Sequence, residues 1–448
     1  MVLTMTSKRQ IVLSALVHPH GIYKGAWRHP NAEAHRINDV EYYKEIAQLC
    51  ERGLIDLFFI ADTPAARTDN LEIWTRSPLF QNVMEPVTLL AALAGATTRI
   101  GLGATVSTSF FEPYNIARQF ASLDHISGGR AAWNVVTSAN DYAARNFGLD
   151  RLPPHSERYA KARECLELVK AYWDTWDQDA FVFDKEKAVY FDPRKFHAVD
   201  HKGKHFTVHG GLNIARSPQG HPVIIQAGAS ESGKELAAQT AEIVFGTGAE
   251  PEAAKAFYSD LKGRMPKFGR DESELFILAG LSTVIGRTRD EAKEKFEYLQ
   301  SLVPVEVKVM ALSNDLEANL LDLPLDEPVP IDCIPASSNL HQAYFNQIAD
   351  MIRSQKLTLR EMANRYSRGS RAMCATAVEV ADFMQEWLEQ RCCDGFMLSP
   401  AVVPGSLREF IGEVVPILQE RGIYKTAYKG TTLRENLGLK PVANKNSI

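Results

Sequence analysis

The stretch GGRAAWNVVTSAN, Gly128 to Asn140, decides how this chain folds. Two glycines open it, an apolar run carries it to Val136, and it closes on four small or polar residues, Thr137, Ser138, Ala139 and Asn140. It reads as a buried strand, yet an amide, Asn134, sits among the apolar residues. Period-two alternation sends Asn134, Val136 and Ser138 to one side and Trp133, Val135 and Thr137 to the other. Two readings stand: Asn134 satisfies a neighbouring backbone group, or the strand aims an amide and a hydroxyl at a site.

The surroundings set the context. Ile11 to Val17 is a first strand, Leu57 to Asp62 a second and RIGLGATVS from Arg99 a third, with the opening stretch as the fourth. PVIIQAG, EIVFGTG, LFILAGLSTVIG and DGFMLSP, starting at Pro222, Glu242, Leu275 and Asp394, supply four more. Helix-period segments separate them: 39–52, with Tyr43, Ile46, Ala47 and Cys50 on one face, then 86–97, 114–126, 156–176 and 376–391. Strands alternating with helices predict an α/β chain folded as a (β/α)8 TIM barrel, which needs about 250 residues before insertions. A single domain over 1–448 is expected, with an insertion at 177–218 after the fourth strand and its helix. A second insertion, a lid at 303–371, precedes the last helix and strand, and a tail over 422–448 wraps the surface or a neighbour. Such a barrel does its chemistry at the carboxyl ends of its strands, where Asn134 and Ser138 fall.

Composition narrows the class. A net charge of -5 with no basic stripe gives no footprint for nucleic acid. No apolar run approaches the roughly 20 residues needed to cross a bilayer, and the leader-like start is cut short by His18, Pro19 and His20. Six scattered cysteines without CxxC spacing read as reduced thiols of a cytoplasmic protein.

Three motifs come close to known sites and then break. HPH at 18–20 has the spacing of a metal pair, but later strands end in Gln226-Ala227-Gly228, Gly246-Thr247-Gly248 and Leu398-Ser399-Pro400, which offer no further ligand. No metal is expected, and His18 or His20 is left as an acid/base candidate at the mouth or as a core or capping histidine. GASESGKE, 228–235, matches a P-loop up to Lys234 and then puts Glu235 where magnesium needs a hydroxyl. Small residues before a helix still leave backbone N–H groups free for one phosphate. HAVDHKGKH reads as a solvated loop, and GLGATV lacks the third glycine of a dinucleotide site.

Taken together, SGGRAAWNVVTSAN and ARNFG (144–148) resemble the signature of the bacterial-luciferase-like flavin monooxygenases, in the branch holding nitrilotriacetate, EDTA and dibenzothiophene-sulfone monooxygenases. The likeness extends to AWRHP at 26, EPVTLLAALAGATTRIGLGATVSTSFFEPYNIAR from 85, HSERYAKA at 155 and QAGASESGKELAAQTAEIVF from 226. It implies an enzyme that takes reduced FMN (FMNH2) from a separate NAD(P)H:FMN reductase and uses O2 to oxygenate a small organic substrate, commonly cleaving a C–N or C–S bond. A homodimer or homotetramer is expected. The family's FMN-binding positions fall on Asp62, Thr108, Asn134, Ser138, His155, Tyr159, Ala229 and Ser230. Trp27, Phe110, Phe111 and the lid would wall off water, and Arg28, Arg67 and Arg371 are candidates for an anionic substrate. Cys374 to Ala377 depart from the Gly-Thr-Pro-type entry of relatives. An F420-dependent oxidoreductase and a non-catalytic flavin-binding barrel share the wider fold and stay open.

Overall fold

In the computed structural model, which describes residues 9–68, 70–77, 81–228, 230–246, 250–336, 342–366 and 372–447, eight parallel strands close into a barrel. They are Val12–Leu16, Leu57–Ile60, Gly101–Ser107, Ala131–Val136, Val223–Ala227, Ile243–Gly246, Phe276–Leu281 and Gly395–Leu398, each beside its neighbour in sequence. The ring closes where Val12 aligns with Gly395.

Alternation within each strand builds two layers. Ala131, Trp133 and Val135 join the apolar layer between barrel and helices, where the Trp133 ring meets Phe120 and Trp173 at 5.9 and 6.3 Å. Ala132 belongs to the interior cluster with Leu57, Phe59, Ile225 and Phe245. Asn134 therefore faces the axis. The interior is narrow: a Cβ on Gly103 would stand 3.1 Å from Leu57 Cδ1 and 3.3 Å from Ile225 Cδ1.

The expected helices are present as Val40–Arg52, Pro86–Ala94, Pro113–Ser127, His155–Trp173 and Ala377–Glu389. Their starts follow local chemistry. Asp39 accepts from the Glu41 N–H, Glu85 accepts from Val87 and Thr88 ahead of Pro86, and Thr376 and Glu379 form a reciprocal capping box.

Three expectations change. The run 275–286 is not one strand: after Phe276–Leu281 the chain leaves the barrel, and Thr283–Ile285 pairs in parallel with Met373–Ala375. Residues 177–218 hold two antiparallel hairpins, Phe181–Asp184 with Val189–Phe191 and Val199–Lys202 with Thr207–Gly210. The histidine-rich segment is thus a hairpin rather than a loop, with His201 bonded to Glu164 at 3.0 Å. Finally, the tail does more than lie on the surface, where Asn444 and Asn446 donate to the Trp176 and Asp174 carbonyls at 3.0 and 3.2 Å. Helix Leu433–Leu437 enters the amino-terminal end of the barrel, where Leu433, Leu437 and Leu439 complete the interior cluster.

Segment 303–371 includes helices Val305–Leu316, Gln342–Ser354 and Leu359–Arg365. They share a core of their own, with Leu312, Leu316, Ile348 and Met362 among its buried members. The pair Thr283–Ile285 and Met373–Ala375 flanks this segment on both sides.

Candidate active site

A cavity of about 390 Å³ opens at the carboxyl ends of the strands. Asp62 and Thr63 reach it from the second strand, residues 135–140 from the fourth, and Gln226, Ala227 and Gly228 from the fifth. His155, Arg158 and Tyr159 enter from helix His155–Trp173, and Ser230 and Gly233 from the start of helix Glu231–Thr240. Its size suits a small-molecule site.

Backbone geometry prepares one side for an anion. Gly228 has φ +154°, and Ser230 Oγ accepts from the Gly233 N–H at 3.1 Å, which fixes the helix start. A Cβ on Gly233 would lie 3.1 Å from both Ser230 Oγ and Tyr159 Oη, so the absent side chain leaves the helix N-terminus open beneath two hydroxyls. The unpaired N–H groups of such a terminus carry partial positive charge. Lys234, the lysine of the near-P-loop, turns to Asp260 at 2.6 Å and to Glu231.

The cation here is Arg158, which sequence reasoning missed. It is buried at 7% exposure, its Nε has no hydrogen-bond partner, and no carboxylate among the described residues forms an ion pair with it. The signal was in HSERYAKA: His155, Arg158, Tyr159 and Ala162 follow the i, i+3, i+4, i+7 spacing of an inward stripe, and a charge on such a stripe calls for a partner. Burial lowers the guanidinium pKa.

A second side collects polar groups at the end of the fourth strand. Asn134 itself is not among the lining residues, which on this strand begin at Val135; it donates through Nδ2 to Thr105 Oγ1 at 2.9 Å, and its buried Oδ1 has no partner among the described residues. Ser138 adopts φ +54° and pairs with Ser107 Oγ at 2.7 Å. Left-handed backbone at a non-glycine residue is strain that concentrates at functional sites. Thr108 stands apart from the lining: it is fully buried and its hydroxyl donates to the Val136 carbonyl at 3.1 Å, extending the ladder between the third and fourth strands. Ala229 and Arg371 lie outside the described residues.

Titration singles out Asp62. Burial, reinforced by the Glu85 charge, pushes its carboxyl up from 3.8 to about 6. His18 goes the other way, lowered to about 4 by burial and then by His20, and it lines a separate small void with Tyr43 and Ile60. His20 is buried with Nδ1 unpartnered. Because the folded chain holds the Asp62 proton more tightly than the unfolded one, stability is full near pH 4 and falls as pH rises toward 6. Asp62→Asn is expected to raise Tm by about 1–3 °C at neutral pH and to leave it unchanged near pH 4, which melting curves at the two pH values check.

The remaining candidates are placed as follows. Phe110 stacks on Phe147 at 4.5 Å, while Trp27 donates to the Arg76 carbonyl at 3.3 Å. Arg28 donates to the Leu302 carbonyl at 2.7 Å. Arg67 lies between Trp74 and Tyr142, 4.8 and 4.7 Å from the ring centres, and bonds Asn314 of the inserted helices at 3.2 Å.

Among the described residues no group of three or more His, Cys, Asp or Glu is placed to hold a metal ion, and no helix is long and apolar enough to cross a membrane.

Comparison with known proteins places the chain in a family. N-acetyl-S-(2-succino)cysteine monooxygenase of Bacillus subtilis (strain 168) is 42% identical over 98% of this chain and 99% of its own length. Nitrilotriacetate monooxygenase component A of Aminobacter aminovorans is 43% identical over 99% of both. A solved riboflavin lyase, with modified FMN and riboflavin bound, superposes with a TM-score of 0.85 over 96% of each chain at 32% identity. The luciferase-like monooxygenase model matches residues 21–390, and with full-length relatives that are themselves monooxygenases the chain belongs to the luciferase-like monooxygenase family and is an enzyme of that kind.

Proposed function

We propose that this chain is the oxygenase component of a two-component monooxygenase, which receives reduced FMN from a separate NAD(P)H-dependent reductase and oxygenates a small organic substrate with O2, cleaving a C–N or C–S bond. The observation that carries this reading is the buried Arg158, whose Nε has no hydrogen-bond partner among the described residues, beside the helix N-terminus at Ser230. A single phosphate dianion satisfies both, together with the hydroxyls of Tyr159 and Ser230. The relatives support the rest: one is named as component A of its enzyme, and another binds a modified FMN.

The cavity residues then divide the work. Arg158, Tyr159, Ser230 and the free N–H groups of the helix start hold the phosphate. Asn134, facing the axis behind the lining with an Oδ1 that has no partner among the described residues, would accept from a ring N–H only if the ring reaches past Val135. Reduced FMN, when bound there, supplies the electrons that activate O2. Asp62, which lines the cavity and whose carboxyl is pushed up to about 6, would give up or take back a proton there. His18, held neutral at pH 7 by burial, is the weaker acid/base candidate. The inserted helices of 303–371, which reach Arg67 through Asn314, act as the lid that keeps water from the mouth.

Anaerobic titration with reduced FMN followed by admission of O2 tests the assignment. Reduced FMN is expected to bind one per chain, and O2 uptake with an independent reductase should rise on addition of substrate. Hydride transfer without O2 uptake, or no binding of reduced FMN, would reject it.

A further inference from the structure

The barrel strands contain the glycines Gly101, Gly103, Gly246, Gly280 and Gly395. All but Gly280 are glycine because the protein itself fills the space. An added Cβ would stand 2.6 Å from Leu433 at Gly101, 3.1 Å from Leu57 at Gly103 and 3.1 Å from Ile277 at Gly246, and at Gly395 it would run into the Val12 carbonyl. Gly280 differs. A Cβ there meets nothing within 4 Å among the described residues, and the residue is exposed. Its φ lies outside the left-handed region, so the backbone does not call for glycine either. A glycine inside a strand weakens the strand and packs against nothing, and such positions mark where a ligand comes close to the backbone.

The open space faces the axis. Leu278, two residues earlier, belongs to the interior cluster, whereas Ile277 and Ala279 pack outward. Gly280 is the penultimate residue of its strand, so the space lies toward the mouth, and it aligns with Met397 of the eighth strand.

The wall around it is hydrocarbon. Phe245, Leu278, Met397 and Leu16 face the axis from the sixth, seventh, eighth and first strands, and Phe59 reaches Phe245 from across the barrel at 4.7 Å between ring centres. Ser14, the polar residue on this side, is fully buried. The charged and hydroxyl groups of the cavity, among them Asp62, Ser138, Arg158, Tyr159 and Ser230, come from the second to fifth strands and the helices that follow them. The two sides of the mouth therefore offer different chemistry. An uncharged wall rewards an apolar group placed on it and would leave a charge without a partner.

We propose that Gly280 is a specificity-determining position, and that the space over it receives an uncharged alkyl or aryl group of the substrate. The inference rests on the flavin reading above, which fills the side built from the second to fifth strands and leaves this side to the substrate. The size limit on that group is set by the side chain at position 280.

Equilibrium dialysis of the FMN-saturated chain against dimethyl sulfone and methyl phenyl sulfone tests the proposal. The wild-type chain is expected to bind the phenyl compound about tenfold or more tighter than the dimethyl compound. Gly280→Val is expected to bring the two affinities within about threefold of each other while dimethyl sulfone binds as before, and Gly280→Ala should fall between. The alanine variant adds one carbon in open space, so it carries the same test should valine unsettle the strand. No binding of either sulfone by the wild type, no preference between them, or the same preference in both variants as in the wild type overturns it. Titration of the same samples with reduced FMN separates the two failures. A wild-type chain that binds no FMN rejects the flavin reading, and dialysis of the ligand-free chain against the same two sulfones then still decides the role of Gly280.

Discussion

Replacing Arg158 by alanine is expected to weaken binding of reduced FMN about 100-fold, a loss of close to 3 kcal/mol. The guanidinium is buried with an unsatisfied Nε and no ion pair among the described residues, only the Asp141 charge acting on it, and on the proposed reading a bound phosphate would complete it. Without it the dianion keeps only hydroxyls and a helix terminus, each a modest contributor in comparison. Arg158→Lys retains the charge but loses the planar fork, and about a tenfold loss is expected. Anaerobic fluorescence titration measures both. The melting temperature of the ligand-free chain gives the control: an arginine kept for the fold would lower it when removed, whereas a cation buried without a partner should leave it unchanged or raise it.

The largest effect on stability is expected at Gly395. It begins the last barrel strand and aligns with Val12 of the first, and a Cβ added there would lie 1.9 Å from the Val12 carbonyl oxygen. The obstacle is backbone, which no rotamer change relieves. Gly395→Ala must open the seam where the ring closes, and a destabilisation of about 4 kcal/mol or more is expected. Denaturant titration, or loss of soluble protein on expression, reads the result. Gly263→Ala, with nothing within 4 Å of the added carbon, is the matched control and should be neutral or slightly stabilising.

The barrel was legible because parallel strands buried on both faces read as short apolar runs between amphipathic helices. Alternation put Asn134 on the same side of its strand as Val136 and Ser138 without saying which side that was, and the interior position of Ala132 two residues earlier decides it. What escaped the reading was decided by tertiary contacts. Nothing in LFILAGLSTVIG marks where the chain leaves the barrel, since Thr283–Ile285 is as apolar as the strand before it and finds its partner at Met373–Ala375, far along the sequence. The strands of 177–218 hide among charges because they pair in exposed hairpins rather than in a core.

In the site, hydroxyl-bearing residues were easy to name and hard to assign. Thr108 and Ser138 look equivalent in sequence. Only the ladder bond to Val136 shows that one closes a sheet, while the left-handed backbone of the other turns it into the cavity wall. Arg158 escaped because most helical arginines are solvated, and only its burial in the fold sets this one apart.

The plug formed by Leu433, Leu437 and Leu439 sets an order on biosynthesis. It is anchored by the Leu433 N–H to Gly129 O bond at 2.9 Å and by Arg434 paired with Glu242 at 2.6 Å. All eight staves leave the ribosome before the stopper that seats in their base, so a nascent chain exposes a greasy, unsealed floor until that late segment emerges. Chaperone dependence during translation, and intolerance of cargo fused within this segment, follow from that sequence of events.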